Sequence, residues 1–174
     1  MKIETKRLIL RELTMNDLED LNAILSDPES MSHYPQPFTY EKSKKWIEWN
    51  LDNYRTYGFG LWAVILKDDQ RFIGDCGITM QNIDGEMLPE IGYHINKRYT
   101  NRGYATEAAQ ACKDYAFEAL RLPVIYSYMK YTNVASQRVA EKNDMSFIKS
   151  IEDDKNKLTK VYAITLTEYL HRKK

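Results

Sequence analysis

The residues best suited to chemistry run from Glu90 to Ala108, Glu90-Ile91-Gly92-Tyr93-His94-Ile95-Asn96-Lys97-Arg98-Tyr99-Thr100-Asn101-Arg102-Gly103-Tyr104-Ala105-Thr106-Glu107-Ala108. A β-patterned run passes through a short glycine-containing loop into a helix. The first turn of a helix has backbone N–H groups without partners, and the helix dipole is positive there. A pyrophosphate suits such an end. Gly103 lets the backbone come close to an anion, Ala105 adds little bulk, and Asn101 and Arg102 supplement the N–H groups. From the residues alone, the loop is either this kind of anion site or a tight loop with nothing bound. It is neither a P-loop nor a Rossmann dinucleotide loop, because G-x-x-x-x-G-K-[ST] and G-x-G-x-x-G are both absent.

The flanking elements follow from periodicity. Arg7–Leu13 alternates as a first strand, and Thr14, with Asp17 three residues on, starts a helix through Leu25. Pro28, Pro35 and Pro37 make the next stretch a loop. A second helix spans about Thr39 to Tyr57, with Trp46, Ile47, Leu51 and Tyr54 on one face, and ends at Gly58. Leu61–Lys67 and Arg71–Met80 form a hairpin, and Met87–Ile95 is the next strand. Ala105, Ala108, Ala109, Cys112, Ala116, Ala119 and Leu120 give the following helix one buried stripe, mostly alanine and able to lie close on a sheet. Val124–Lys130 is a strand, and Asn133 caps a helix to about Met145. Ser146–Ile151 and Lys160–Leu166 are closing strands joined by the charged turn Glu152–Asn156. The order β-α-α-β-β-β-α-β-α-β-β is mixed α/β, with an antiparallel front and one crossover helix.

Composition narrows the choices. The 174 residues suit one domain spanning 1–174, without a repeat or a linker. Lys plus Arg and Asp plus Glu are both 25, so a dominant nucleic-acid-binding role is not expected. Cys76 and Cys112 form neither a disulfide framework nor a C-x-x-C pair and are expected to be buried small hydrophobes. His33, His94 and His171 lack metal-ligand spacing, so no metal is expected. The N-terminus has no apolar core of a secretory signal. The apolar run Leu61–Leu66 is far short of the roughly 20 residues of a membrane span. A soluble cytoplasmic protein without membrane partners, monomer or homodimer, is the expectation.

The loop resembles the acetyl-CoA-binding motif of the GNAT superfamily of N-acetyltransferases, Q/R-x-x-G-x-G/A. Thr100-Asn101-Arg102-Gly103-Tyr104-Ala105 keeps the Gly and Ala and has Thr first. The runs R-G-Y-A-T-E-A, T-K-R-L-I-L-R, I-G-Y-H-I and N-V-A-S-Q-R-V-A-E-K look like the RimJ/RimL branch, which acetylates ribosomal-protein N-termini. The resemblance covers nearly the whole chain. It implies the GNAT fold, a mostly antiparallel central sheet flanked by helices, with acetyl-CoA as cosubstrate. It implies that backbone groups of Tyr93, His94 and Ile95 pair with the pantetheine arm, and that Asn101, Arg102, Gly103, Tyr104, Ala105 and Thr106 hold the pyrophosphate. Asn133 would bond the cofactor near its thioester end. A splay between Glu90–Ile95 and Val124–Lys130 would admit the acetyl group.

The implied reaction is direct transfer to a primary amine in a ternary complex. It needs a proton acceptor, a donor for the oxyanion and a proton or donor for the departing thiolate. Glu90, acting through water, is the candidate base. It needs burial or a water chain, since a free glutamate titrates near ~4.3. His94 is an alternative. Many members carry an acidic tyrosine seven residues after the helix-start Asn, a position held here by Ala140. Ser136 is the substitute, with Tyr128 and Tyr131 as further alternatives. Acceptor contacts in the family come from the first two helices and their loop, which nominates His33, Tyr34 and Phe38. The acceptor is a protein N-terminus or a small amine such as a polyamine or an aminoglycoside. A regulatory module that binds acetyl-CoA without turnover is the rival reading.

Overall fold

Leu61–Leu66 is buried at all six positions, which a strand achieves only when both sheet faces are covered. It is β3 of a sheet built from β1 (Lys2–Glu4), β2 (Leu8–Glu12), β4 (Phe72–Ile83), β5 (Glu86–Ile95), β6 (Val124–Lys130), β7 (Ser146–Glu152) and β8 (Leu158–Thr165). The computed structural model describes residues 1–152 and 158–173. Among these, eight strands lie in the order β1-β2-β3-β4-β5-β6-β8-β7. The β5–β6 pair is parallel and the others are antiparallel.

Strand alternation sorts side chains into two layers. Leu8, Leu10, Trp62, Val64, Cys76 and Ile78 face a core shared with Ala108, Cys112, Ala116 and Phe117 of α3 (Tyr104–Glu118). Ala140 of α4 (Val134–Lys142) and Tyr169 of α5 (Leu166–Arg172) join that core. Ala63 and Ile65 point the other way, toward Leu18, Leu21 and Leu25 of α1 (Leu18–Leu25) and Ile47 of α2 (Tyr40–Tyr57). Both cysteines are fully buried, with their sulfurs 3.6 Å apart. The alanine stripe does what its size allows: α3 lies on the sheet and carries the chain from β5 to parallel β6.

Some boundaries differ from the sequence reading. Thr14 and Asp17 form a capping box, but on a 3-10 turn (Met15–Asp17) ahead of α1. β1 has only three residues, too few for a periodic signal. Leu166 begins α5 instead of ending a strand, because Thr165 and Glu168 form a second capping box. The face of α2 also differs: Ser43, Asn50 and Asn53 are buried beside Ile47, whereas Trp46, Leu51 and Tyr54 are half-buried. Asn50 accepts from the Leu61 N–H at 2.7 Å, and Ser43 donates to Asn22 at 3.0 Å. Most of the expected charged turn Glu152–Asn156, its residues 153–156, lies outside the described residues.

Candidate active site

β5 and β6 register at a single pair, Glu90 with Tyr126. Just beyond it the Ser127 hydroxyl donates to the Ile91 carbonyl at 3.3 Å. β6 then continues with β8 through Lys130, while β5 continues with β4 through Ile95. The two parallel strands part there, giving the splay implied by the resemblance. Successive N–H groups of a strand point to alternate sides. The His94 N–H is directed to β4, where Asp75 Oδ1 accepts it at 3.0 Å. The N–H groups of Tyr93 and Ile95 therefore face the gap, and that of His94 is already used.

Glu90 stands at the mouth of this gap and is 7% exposed. Burial raises its pKa to about 8, opposed by a hydrogen bond from the backbone of Tyr128. Gly92, two residues on and on the same face, leaves the space that the carboxylate uses: a Cβ there would meet Oε2 at 3.0 Å. The Tyr128 hydroxyl, its pKa pushed up to about 12 by burial and then by the field of Glu90, lies 3.3 Å from Gln81 Oε1.

His94 lies farther along this face, 9% exposed. Its Nδ1 is 2.8 Å from Asp75 Oδ1, and Trp46 Nε1 donates to Asp75 Oδ2 at 3.1 Å. The Tyr34 ring packs on the imidazole with centroids 5.1 Å apart. Tyr34 is 43% exposed as a residue; desolvation, then the fields of Glu90 and Asp75, raise the pKa of its hydroxyl. Tyr34 thus reaches the site. Phe38 does not line it directly, being buried with Leu25 and Met31 in the second core and edge-on to Trp46 at 5.5 Å. His33 is exposed.

The phosphate-loop candidates converge at the start of α3. Asn101 and Gly103 take left-handed conformations, φ 60° and 81°. The first backbone bond that closes onto the loop is Glu107 N–H to Gly103 O at 3.0 Å, which leaves the N–H groups of Tyr104, Ala105 and Thr106 ahead of the helix's own ladder. Arg7 braces the loop by donating to the Arg102 carbonyl at 3.0 Å and lying 4.4 Å over the Tyr104 ring. Glu107 accepts from Thr5, from the Arg7 N–H and from Arg7 Nε at 2.6–2.8 Å. A cleft beside the loop is lined by four arginines, Arg7, Arg71, Arg98 and Arg102, together with Asp68, Asp69, Tyr99 and Tyr104.

α4 supplies the remaining candidates. Asn133 caps the helix by accepting the Ser136 N–H at 3.1 Å. Ser136 lies near the Tyr93 hydroxyl, whose pKa is raised chiefly by desolvation and which has no hydrogen-bond partner among the described residues. Ala140 is buried in the main core.

These elements match a known family. The family model described as Acetyltransferase (GNAT) domain matches residues 7–146. The chain belongs to the GNAT acetyltransferase family. Its enzymes transfer acyl groups and use acetyl-CoA. The chain is 36% identical over 147 residues to the uncharacterized N-acetyltransferase YnaD of Bacillus subtilis (strain 168), covering 83% of this chain and 82% of that protein. The crystal structure of a GNAT-family acetyltransferase from Bacillus anthracis superposes with a TM-score of 0.82 at 29% identity, covering 97% of this chain and 100% of that one. RimL, a ribosomal L7/L12 alpha-N-protein acetyltransferase solved with coenzyme A, shares the fold at 15% identity and a TM-score of 0.78. That likeness covers 97% of this chain and 99% of that one. As a GNAT acyltransferase the chain accounts for the splayed sheet and the open first turn of α3 together.

Among the described residues, no three His, Cys, Asp or Glu side chains are grouped to hold a metal ion. No helix among them is long and apolar enough to cross a membrane. Sequence reasoning missed Asp75, Trp46 and the Arg7–Glu107 brace. Asp75 sits in an apolar run and carries no motif, and only pairing across β4 and β5 brings it to His94.

Proposed function

We propose that this GNAT domain transfers the acetyl group of acetyl-CoA directly to a primary amine, a protein N-terminus or a small amine, without an acetylated enzyme residue. One observation carries the reading: a buried carboxyl, Glu90, stands where β5 and β6 part. Asn101 through Thr106 hold the pyrophosphate on the unpaired N–H groups of α3. Tyr93 and Ile95 offer backbone groups to the pantetheine arm as an added strand would. Asn133 bonds the cosubstrate near its thioester through the part of its amide not engaged in capping.

Glu90 accepts the proton that the ammonium must lose, directly or through one water. A carboxylate near 8 is far better matched to an ammonium than an ordinary glutamate. The amine nitrogen then bonds to the thioester carbon, and a backbone N–H of the Tyr93–Ile95 stretch donates to the oxyanion. As the C–S bond breaks, the nitrogen gives up its remaining extra proton and the departing sulfur takes one up, relayed through the Ser136 hydroxyl, leaving the amide and the free thiol. Ala140 cannot serve there. The likeness to RimL supports the fold alone, so a peptide N-terminus and a small amine are both acceptors to test.

The test is calorimetric binding of acetyl-CoA followed by thiol release with a panel of amines, N-terminal peptides first. Micromolar binding with amine-dependent thiol release is expected. Binding without thiol release would replace the enzyme reading with that of a cofactor-binding module. No binding by folded protein would overturn both.

A further inference from the structure

Asp75 is wholly buried on β4, opposite His94 on β5. Its carboxylate accepts from the His94 N–H, His94 Nδ1 and Trp46 Nε1. A carboxylate accepts and does not donate, so Nδ1 carries a hydrogen, and in the neutral imidazole Nε2 is then a lone pair. That atom is buried and has no hydrogen-bond partner among the described residues. Buried polar atoms are normally paired, and an unpaired one calls for a ligand or a function.

The surroundings indicate what fits. Glu90, Gly92 and His94 share one face of β5, and Gly92 puts no side chain between the two titratable groups. Four residues of strand separate their Cα atoms by about 13 Å, at about 3.3 Å each. Tyr34 flanks the imidazole at 5.1 Å and Trp46 meets it edge-on at 5.8 Å. An acceptor whose amine stands at Glu90 would have to carry its second group along this face, past the Tyr34 ring, to meet Nε2.

We propose that His94 Nε2 accepts a hydrogen bond from a second N–H or O–H group of the acceptor, so the preferred acceptors are primary amines carrying another donor farther along the chain. Asp75 is a positioning residue that holds the imidazole in this tautomer. The inference rests on the acetyl-transfer reading above and narrows its acceptor class.

Three probes differ at one end only: n-butylamine, diaminobutane and aminobutanol. With acetyl-CoA saturating, thiol release is expected to give kcat/KM about tenfold higher for the two bifunctional amines, mostly through KM, since one hydrogen bond of about 1.4 kcal/mol is tenfold. In Asp75→Asn, which can direct an amide hydrogen at Nδ1 and move the imidazole hydrogen to Nε2, the preference is expected to fall to near one. An equal rate for all three amines in the parent, or a preference retained in Asp75→Asn, would overturn the assignment. Nitrogen NMR of the histidine-labelled parent, saturated with coenzyme A, needs neither turnover nor a variant. Aminobutanol should move the unprotonated nitrogen of His94 toward its hydrogen-bonded position, and an unmoved resonance overturns the proposal. A moved resonance in a protein that releases no thiol would keep the His94 pairing and remove the transfer reading.

Discussion

The Glu90 carboxylate lies over Gly92, where even a methyl group would stand 3.0 Å from Oε2. The strand keeps a bare position so that a buried acid can fold back along it. The acid is costly to ionise there, which sets the first expectation. Its pKa of about 8 compares with ~4.3 in an unfolded chain. Between those values the folded protein binds the extra proton, so this group lowers stability as pH rises toward 8 and contributes no further change above it. Glu90→Gln should flatten that decline, with a gain at pH 9 of a few kcal/mol, about 5 at most. Thermal melts of both proteins at pH 5 and pH 9 measure it. In the parent, kcat/KM should rise with pH through about 8, and the variant should lose both the limb and most of the activity. A parent melt that does not decline over this window would contradict the buried acid.

Gly92 itself gives a second expectation. The Gly92→Ala methyl must displace the tip of a flexible side chain rather than backbone. Folding should survive, with a change within about 1.5 kcal/mol. The carboxylate, however, is moved from the mouth of the splay, and misplacement by about 1 Å costs on the order of 100-fold in rate. Acetyl-CoA affinity should change little, because the loop at α3 is untouched. Equal kcat in the two proteins would remove the positional role of Glu90.

Gly103 separates conformation from charge. Its φ of 81° disfavours any side chain, and a Cβ would meet Arg7 Nη2 at 3.3 Å. Gly103→Ala should cost about 1–2 kcal/mol of stability from the left-handed backbone and weaken acetyl-CoA binding modestly. Gly103→Glu should suffer the same strain and also place a carboxylate among the α3 N–H groups. Calorimetry should show acetyl-CoA binding reduced in the first variant and abolished in the second. Equal losses would assign the effect to backbone strain alone.

Much of this geometry was legible in order but not in depth. The loop and the α3 alanine stripe announce themselves by type and spacing, because glycine, alanine and helix periodicity act locally. The buried face of α2 did not, since Ser43, Asn50 and Asn53 point inward, and Ser43 and Asn50 make bonds to residues distant in the chain, Asn22 and Leu61. A hydropathy pattern registers such positions as polar and assigns them to solvent. Asp75 was invisible for the same reason: its three donors come from β5 and α2. The α5 start was written locally as Thr165-x-x-Glu168 and lay hidden only because the preceding strand runs straight into it. Phe38, nominated as an acceptor contact, is a core residue that meets Trp46 edge-on. An aromatic in a proline-rich loop carries no local sign of which layer it enters.

The brace behind the loop is testable apart from the site. Glu107 gathers Thr5 and Arg7 onto the first turn of α3, and these bonds outweigh burial to hold its pKa below the usual carboxylate range. Its contribution is therefore present above ~4.3 and is lost as pH falls through the lowered value. Glu107→Gln keeps the size and one acceptor but loses the charge. It should cost roughly 1–3 kcal/mol at pH 7, with the difference from the parent shrinking toward pH 3. Acetyl-CoA affinity should fall with it, because Arg7, which holds the Arg102 carbonyl, loses its anchor. Denaturant melts at the two pH values, beside calorimetry at pH 7, read both effects. A variant of unchanged stability would show that the loop is held by Arg7 and Tyr104 without the carboxylate.

Lys113 tests a different kind of burial. Its side chain is 2% exposed on α3, with Nζ donating to the Asn143 carbonyl at 2.8 Å and standing 3.4 Å from Asp144 Oδ2. Desolvation lowers its pKa, and Asp144 acts in the opposite direction. Asp144 is itself 41% exposed and also paired with Arg172 at 2.8 Å, so it does not depend on the lysine. Removing the ammonium therefore strands no buried charge; it leaves one carbonyl short of a donor. Replacing a buried ion by an apolar chain of similar volume is often neutral or favourable. Lys113→Met should fall within about 1 kcal/mol of the parent on that account. Lys113→Ala removes the same hydrogen bond and leaves a cavity, costing about 2–5 kcal/mol. A Met variant as unstable as the Ala variant would mean that the Asn143 bond, rather than packing along α3, holds this end of the helix.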